Sequence, residues 1–237
     1  MKKIIFFIFL LSLTHLNSQS LIDCNSNLSI FAEYYKVKNY EAAYDPWMSV
    51  RKECPKINPA IYFQGSRMLE EFIKNSEGEL KVSYQNDLLK LYDEWLTNFP
   101  AYNGRSIVGQ IMSNKAQKMF DYKLASKSEI YNLFENAYQT DPVSFDDPKP
   151  LYTYFKTYFE LYKEGNSEIT LSEIFNKYEE LDERYNSIID QYSKQIDIII
   201  NKENSGVALT SREKRNKKVY EINSNASNIY LRNLNAI

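Results

Sequence analysis

Residues 151–162 read LYTYFKTYFELY. Leu151, Tyr154, Phe155, Tyr158, Phe159 and Tyr162 stand at i, i+3, i+4, i+7, i+8 and i+11, a full apolar stripe along one helix. The spacing returns upstream. Ile61, Gly65, Met68, Leu69, Phe72 and Ile73 form a second stripe, and Leu88, Tyr92, Trp95, Leu96 and Phe99 a third. Helix starts are marked as well: Ser126 with Glu129, Thr170 with Glu173 and Thr210 with Glu213 have capping-box spacing. No segment of comparable length alternates with period two. The 237 residues hold only 6 Gly and 7 Pro, too few turn formers for a β-sandwich or barrel of this length. No glycine cluster offers a phosphate-binding turn. The expected fold class is all-α.

The helices are expected in pairs. Three helical segments run into a proline, at Glu53-Cys54-Pro55, Asn98-Phe99-Pro100 and Thr140-Asp141-Pro142, with spacings of 45 and 42 residues. That is room for two helices and their turns, because a proline cannot continue the hydrogen-bond ladder. The last third changes period. Leu171, Tyr178, Tyr185, Tyr192 and Ile199 recur every seven residues, with Ile174, Leu181 and Ile188 between them. Such a coiled-coil-like seam predicts one helix of about 30 residues, roughly 45–50 Å long. Asn201 to Gly206 breaks it, and Val219, Ile222, Ala226 and Ile229 are expected to continue the seam on a returning helix. No polar closing repeat follows, so a further segment beyond Ile237 is expected.

Residues 34–55, YYKVKNYEAAYDPWMSVRKECP, resemble the tetratricopeptide repeat (TPR). Tyr34 matches the large residue closing the first helix of a repeat, Tyr40 the aromatic of the turn, Ala43 the small residue at the helix contact, Trp47 the aromatic of the second helix and Pro55 the terminal proline. IYNLFENAYQTDP is a partial second match through Phe134, Ala137 and Pro142. Phe31 stands where the first helix usually carries a small residue, with Gly65 and Gly109 available for that place in the next two pairs. Pro46 is expected to bend or shorten the second helix. The resemblance implies a TPR-like α-solenoid of antiparallel helix pairs over residues 24–165, and the sevenfold spacing adds a long helical hairpin over residues 166–237. The composition and export signal are similar to those of exported TPR-type proteins of Bacteroidota.

Residues 1–20 have the layout of a secretory signal peptide: Lys2 and Lys3, an apolar run from Ile4 to Leu13, then a polar stretch. The apolar run is too short for a permanent bilayer span. Its removal would take the single histidine, His15, and leave 29 − 2 = 27 basic against 31 acidic residues, a net charge of −4. Without histidine the mature chain lacks the commonest general base and zinc ligand, and its mild negative charge gives no reason to expect nucleic acid. An exported chain with two cysteines, Cys24 and Cys54, is expected to form a disulfide. Asp23 stands where a lipid-modified cysteine wants a small neighbour. The TPR resemblance places Cys24 at the start of one helix and Cys54 at the end of its antiparallel partner, neighbouring ends that a bridge can join.

Few residues offer chemistry. Ser49-Val50-Arg51-Lys52 has the S-x-x-K spacing of penicillin-recognising serine enzymes, without the K-T-G or S-D-N that would accompany it. Glu70-Glu71, Asp146-Asp147 and Glu179-Glu180 are acidic pairs, useful for hydrolysis only where a pocket holds them apart. No metal-ligand spacing, cofactor motif or catalytic residue set is identified. Tyr35, beside Lys36, matches a TPR position facing the concave groove and is the candidate binding residue there. Leu28 and Ala32 stand where clamps for chaperone tails carry Lys and Asn, so that recognition mode is not expected. Arg212, Lys214, Arg215, Lys217 and Lys218 form a basic patch suited to lipid headgroups or an acidic partner. The expected function is a non-catalytic scaffold or adaptor binding another protein in the periplasm or at the outer membrane of a Gram-negative bacterium. A SusD-like glycan-binding protein is the alternative.

Overall fold

The computed structural model describes residues 23–166 and 168–237. The expected leader, residues 1–20 with Lys2, Lys3 and His15, lies outside the described residues. What is described is all-α apart from one small ribbon, and none of its helices is long and apolar enough to cross a membrane. It forms two compact units that part at Pro100/Ala101.

The first unit holds α1 (23–36), α2 (Tyr40–Glu53), α3 (Ala60–Lys74) and α4 (Gly78–Asn98). The second opens with a two-stranded antiparallel ribbon, β1 (Ala101–Tyr102) and β2 (Arg105–Ser106). It continues with α5 (Val108–Asp121), α6 (Lys127–Thr140), α7 (Pro148–Lys163), α8 (Leu171–Asn204) and α9 (Ser211–Asn235). Helix pairs followed by a long hairpin are therefore the observed order. At 34 residues α8 is about 50 Å long at 1.5 Å per residue.

Two stop devices recur along the chain. Helices α2, α4 and α6 end at Glu53, Asn98 and Thr140, one residue short of Cys54, Phe99 and Asp141, which precede the three prolines. Those three residues share one backbone conformation, with φ of −138°, −141° and −153° and ψ of 51°, 68° and 78°. Proline Cδ bars its predecessor from the helical region, so the ladder must stop there. Helices α1, α5, α7 and α8 end instead on a left-handed residue, Lys38, Lys123, Gly165 or Gly206, with the paired turn bonds of a Schellman motif. At the other ends all three expected capping boxes are formed, on Ser126, Thr170 and Thr210.

The core of the first unit is built on Trp47. Its ring is fully buried and its Nε1–H donates to the Ile61 carbonyl at 2.7 Å. A Cβ on Gly65 would lie 2.5 Å from that Nε1, so the glycine is what lets α3 press on the indole. Phe31, Ala43, Ile61, Tyr62, Met68, Leu69, Leu88 and Leu91 fill the rest. Pro46 lies inside α2, which nonetheless runs from Tyr40 to Glu53 without shortening.

In the second unit Leu151, Tyr154, Phe155 and Tyr158 are buried against Phe134, Phe145, Leu181, Tyr185 and Leu234. Helix α7 lies against both arms of the α8–α9 hairpin. The heptad seam of α8 is buried at Ile174, Leu181, Tyr185, Ile188 and Ile199, while Leu171 is 53% exposed. The expected seam of α9 needs correcting by one position. Val219, Ile222 and Ile229 are exposed and Ala226 is half-buried, and the side facing inward carries Tyr220, Asn223, Ser227, Tyr230 and Leu234. Ser227 lets the helices close up, and Asn223 donates to the Tyr192 hydroxyl at 3.2 Å. The middle of the inner face is thus held by a hydrogen bond and a small residue, with Tyr220, Tyr230 and Leu234 packing on either side.

Candidate functional site

The first helix pair carries the expected groove residues. Tyr35, in the last turn of α1, is half-buried, with its ring 5.8 Å from Phe31 and 5.6 Å from Tyr40. It therefore serves as a spacer between the two helices as well as showing an edge outward. Lys36 beside it is exposed. Cys24 and Cys54 form a disulfide with Cα atoms 6.2 Å apart, joining the start of α1 to the end of α2. Ser49 accepts from the Asn27 amide, and Lys52 is turned to Glu53 at 3.4 Å, so the S-x-x-K spacing places no lysine on the serine hydroxyl.

Arg51 is the residue in that segment with the densest set of partners. Its side chain is buried over the Trp47 ring and donates to Glu94 at 2.6 Å and Asp87 at 2.9 Å. Burial works against its charge, but the hydrogen bond to Glu94 and the charge of Asp87 outweigh it and hold the guanidinium ionised. Nothing in the sequence marked Arg51 for this, since the two carboxylates come from a helix 36 and 43 residues away.

The second unit gathers three carboxyl groups on the loop between α6 and α7. Asp141 accepts from the Ser106 hydroxyl at 2.6 Å, the Ser144 hydroxyl at 2.5 Å and the backbone N–H groups of Ser144 and Gly109. Burial alone would raise its pKa, but these donors draw it down to about 2. Its backbone carbonyl lies where a Cβ on Gly109 would have to sit, and that glycine stands in the first turn of α5 rather than in mid-helix. Asp147 accepts from Asn114 Nδ2 at 2.9 Å, and burial raises its pKa. Asp146 is pushed up to about 6, first by burial and then by the charge of Asp147, with Arg184 pulling the other way.

Asp141 and Asp147 work as struts. Phe145 between them is fully buried. Arg184 of α8 donates to the carbonyls of Pro142 and Val143 at 2.9 and 2.7 Å, and the Tyr185 hydroxyl donates to that of Pro148 at 2.5 Å. Beside them lies a cleft of about 270 Å³ lined by Asn114, Gln117, Asp121, Asp147, Lys149 and Tyr230. Lys149 closes on Asp121 at 2.7 Å, and Gln117 Nε2 donates to the same carboxylate at 2.9 Å. Of the other acidic pairs, Glu71 faces Lys74 at 3.9 Å and Glu180 faces Lys177 at 3.0 Å.

The basic patch occupies the first two turns of α9. Lys217 pairs with Glu203 at 3.1 Å, and neighbouring Glu213 accepts from Lys202 at 2.5 Å. That bond and those from Thr210 hold Glu213 at about 2. Arg212, Lys214, Arg215 and Lys218 are exposed and meet no carboxylate among the described residues. The structure thus separates the five expected cations into one that locks the hairpin turn and four that face outward. Sequence reading placed the cluster but missed the apolar turn beside it, where Val207 is 50% exposed. The groove residues Tyr35 and Lys36 belong to the first unit and this patch to the second.

No protein-family model matches the chain, and neither a curated protein nor a solved structure matches it.

Proposed function

We propose that the chain is an exported, non-catalytic binding protein of a Gram-negative cell envelope, a TPR-like scaffold that holds another envelope protein. Its helix pairs or its long hairpin would supply the contact. The observation that carries this reading is the division of labour among side chains. Arg51, Asp141 and Asp147 tie elements together inside each unit, while apolar side chains stand outward on the faces turned away from the cores: Ile30 on α1, Val37 just after it, and Val219, Ile222 and Ile229 on α9. Outward apolar positions on a rigid helix are the usual raw material of a protein contact. A Cys24–Cys54 bridge agrees with export, since such cross-links persist in oxidising compartments.

The test is photo-crosslinking in cells from a reactive amino acid placed at Tyr35 or Ile222, followed by mass spectrometry of the envelope fraction. One partner recurring at either position is the expected result. A chain that stays in the cytoplasm with residues 1–20 attached, or that yields only monomer at both positions, would sink the proposal. Retention on polysaccharide gels that disappears with Tyr35→Ala would replace it with the SusD-like, glycan-binding reading.

A further inference from the structure

We propose that the turn end of the α8–α9 hairpin docks on an anionic lipid surface, with the Val207–Ala208 loop entering the headgroup layer and Arg212, Lys214, Arg215 and Lys218 meeting lipid phosphates. This does not rest on the protein-partner reading. The turn is short and apolar at its outermost point: Gly206 adopts φ 80°, closing α8, and sends Val207 and Ala208 outward. Val207 is 50% exposed, and Ile198 on the flank of α8 is 62% exposed. Water-facing aliphatic groups at a convex point, rather than in a groove, suit a deformable surface that closes around them.

Charge supports the same target. Glu203 and Glu213 are already engaged by Lys217 and Lys202, so both turn carboxylates are neutralised within the hairpin. Asp197 remains exposed further down α8, and Glu221 one turn beyond Lys218 on α9. The four outward cations lie next to the turn. Stepping 100° per residue, Arg212, Lys214, Arg215 and Lys218 spread over roughly 160° of the α9 circumference. A partner helix meets a stripe of about 100°, so this wider arc fits a surface approached end-on better than a helix laid alongside. From Arg212 to Lys218 the helix rises about 9 Å, close to the thickness of one headgroup layer, roughly 5–8 Å. Cations placed beside a helix N-terminus are mildly unfavourable for the helix itself, which leaves their position without a structural benefit.

The experiment is co-flotation of the full mature chain with vesicles of phosphatidylcholine alone or with 30% phosphatidylglycerol (about a third of the lipid anionic, enough to give the surface a field). Binding to the anionic vesicles only, weakened at high salt, is expected. Each removed cation should lower partitioning by about fivefold, and the exposed pair Arg215→Glu with Lys218→Glu should abolish it while leaving the circular dichroism unchanged. An environment-sensitive dye on Val207→Cys should shift to the blue on those vesicles, and Val207→Asp should weaken binding. Equal binding to both vesicle types, no binding, or binding indifferent to the charge reversal overturns the proposal. So does binding of soluble poly-glutamate as tight as that of the vesicles and indifferent to Val207→Asp, which would assign the patch to an acidic protein.

Discussion

Trp47 shows how one side chain can decide the sign of a substitution elsewhere. Glycine within a helix normally costs about 1 kcal/mol against alanine, so Gly65→Ala in α3 would ordinarily stabilise. Here the added methyl would sit 2.5–2.7 Å from an indole that is fully buried and hydrogen-bonded to Ile61. Overpacking of that kind costs about 1–3 kcal/mol, and a bonded ring has little room to yield. Gly65→Ala is expected to destabilise by about 2 kcal/mol in urea denaturation; a rise in stability would show the ring to be free to move. Asp146 makes the opposite kind of case, a residue that harms the fold at neutral pH. Its pKa stands at about 6, above the ordinary 3.8, because burial and Asp147 disfavour its charge. The native state therefore holds its proton more tightly than the unfolded chain. That contribution is complete below about pH 4 and is lost as the pH rises through 6. Asp146→Asn should raise stability at pH 8 by on the order of 2 kcal/mol, with the gain fading towards pH 4. A gain equal at both pH values would mean that charge is not its cause.

At the scale of elements, legibility followed chemistry that is local in sequence. The three capping boxes and the three proline stops needed only neighbours three residues away or fewer, and all six formed. The left-handed stops at Lys38 and Lys123 could not be foreseen, because lysine carries no backbone preference for that region and only the paired turn bonds that close each helix accompany it. Helix α9 misled for a different reason. Its most aliphatic stripe, Val219, Ile222 and Ile229, faces outward, while Asn223 bonds Tyr192 of α8 and Ser227 is buried. Hydrophobic periodicity finds the inner face of a helix only when apolar area does the holding. A pair of substitutions separates the two registers. Ile222→Asn should change stability by less than about 0.5 kcal/mol, as surface changes do. Ser227→Leu, in a fully buried position, should cost about 1–3 kcal/mol by overpacking. The reverse order in thermal denaturation would restore the register expected from the sequence. The carboxyl loop between α6 and α7 was legible only as an acidic pair. What Asp141 and Asp147 do depends on Ser106, Gly109 and Asn114, all on elements more than 30 residues away.

At the scale of the whole molecule, the division at Pro100/Ala101 predicts where stability resides. Each unit has its own buried core, but the two differ in size and in how they are closed. The second, residues 101–237, gathers one aromatic-rich core from α6, α7, α8 and α9 and is large enough to bury most of its apolar surface unaided. The first has fewer described residues, 23–100, and begins with α1, whose inward contacts include Phe31 and the bridged Cys24. Small units of this kind lean on staples. A bridge with a sequence separation of 30 should contribute about 3 kcal/mol by limiting the unfolded chain. Expressed separately, residues 101–237 should unfold cooperatively in urea, with a midpoint indifferent to reductant. Residues 23–100 should fold when oxidised and lose most of their stability on reduction, with amide exchange rising first in α1 and at the end of α2. If reduction shifted both fragments alike, the effect would belong to the reductant and not to the bridge. If residues 101–237 failed to fold while the full chain did, the second core would need the first unit to form.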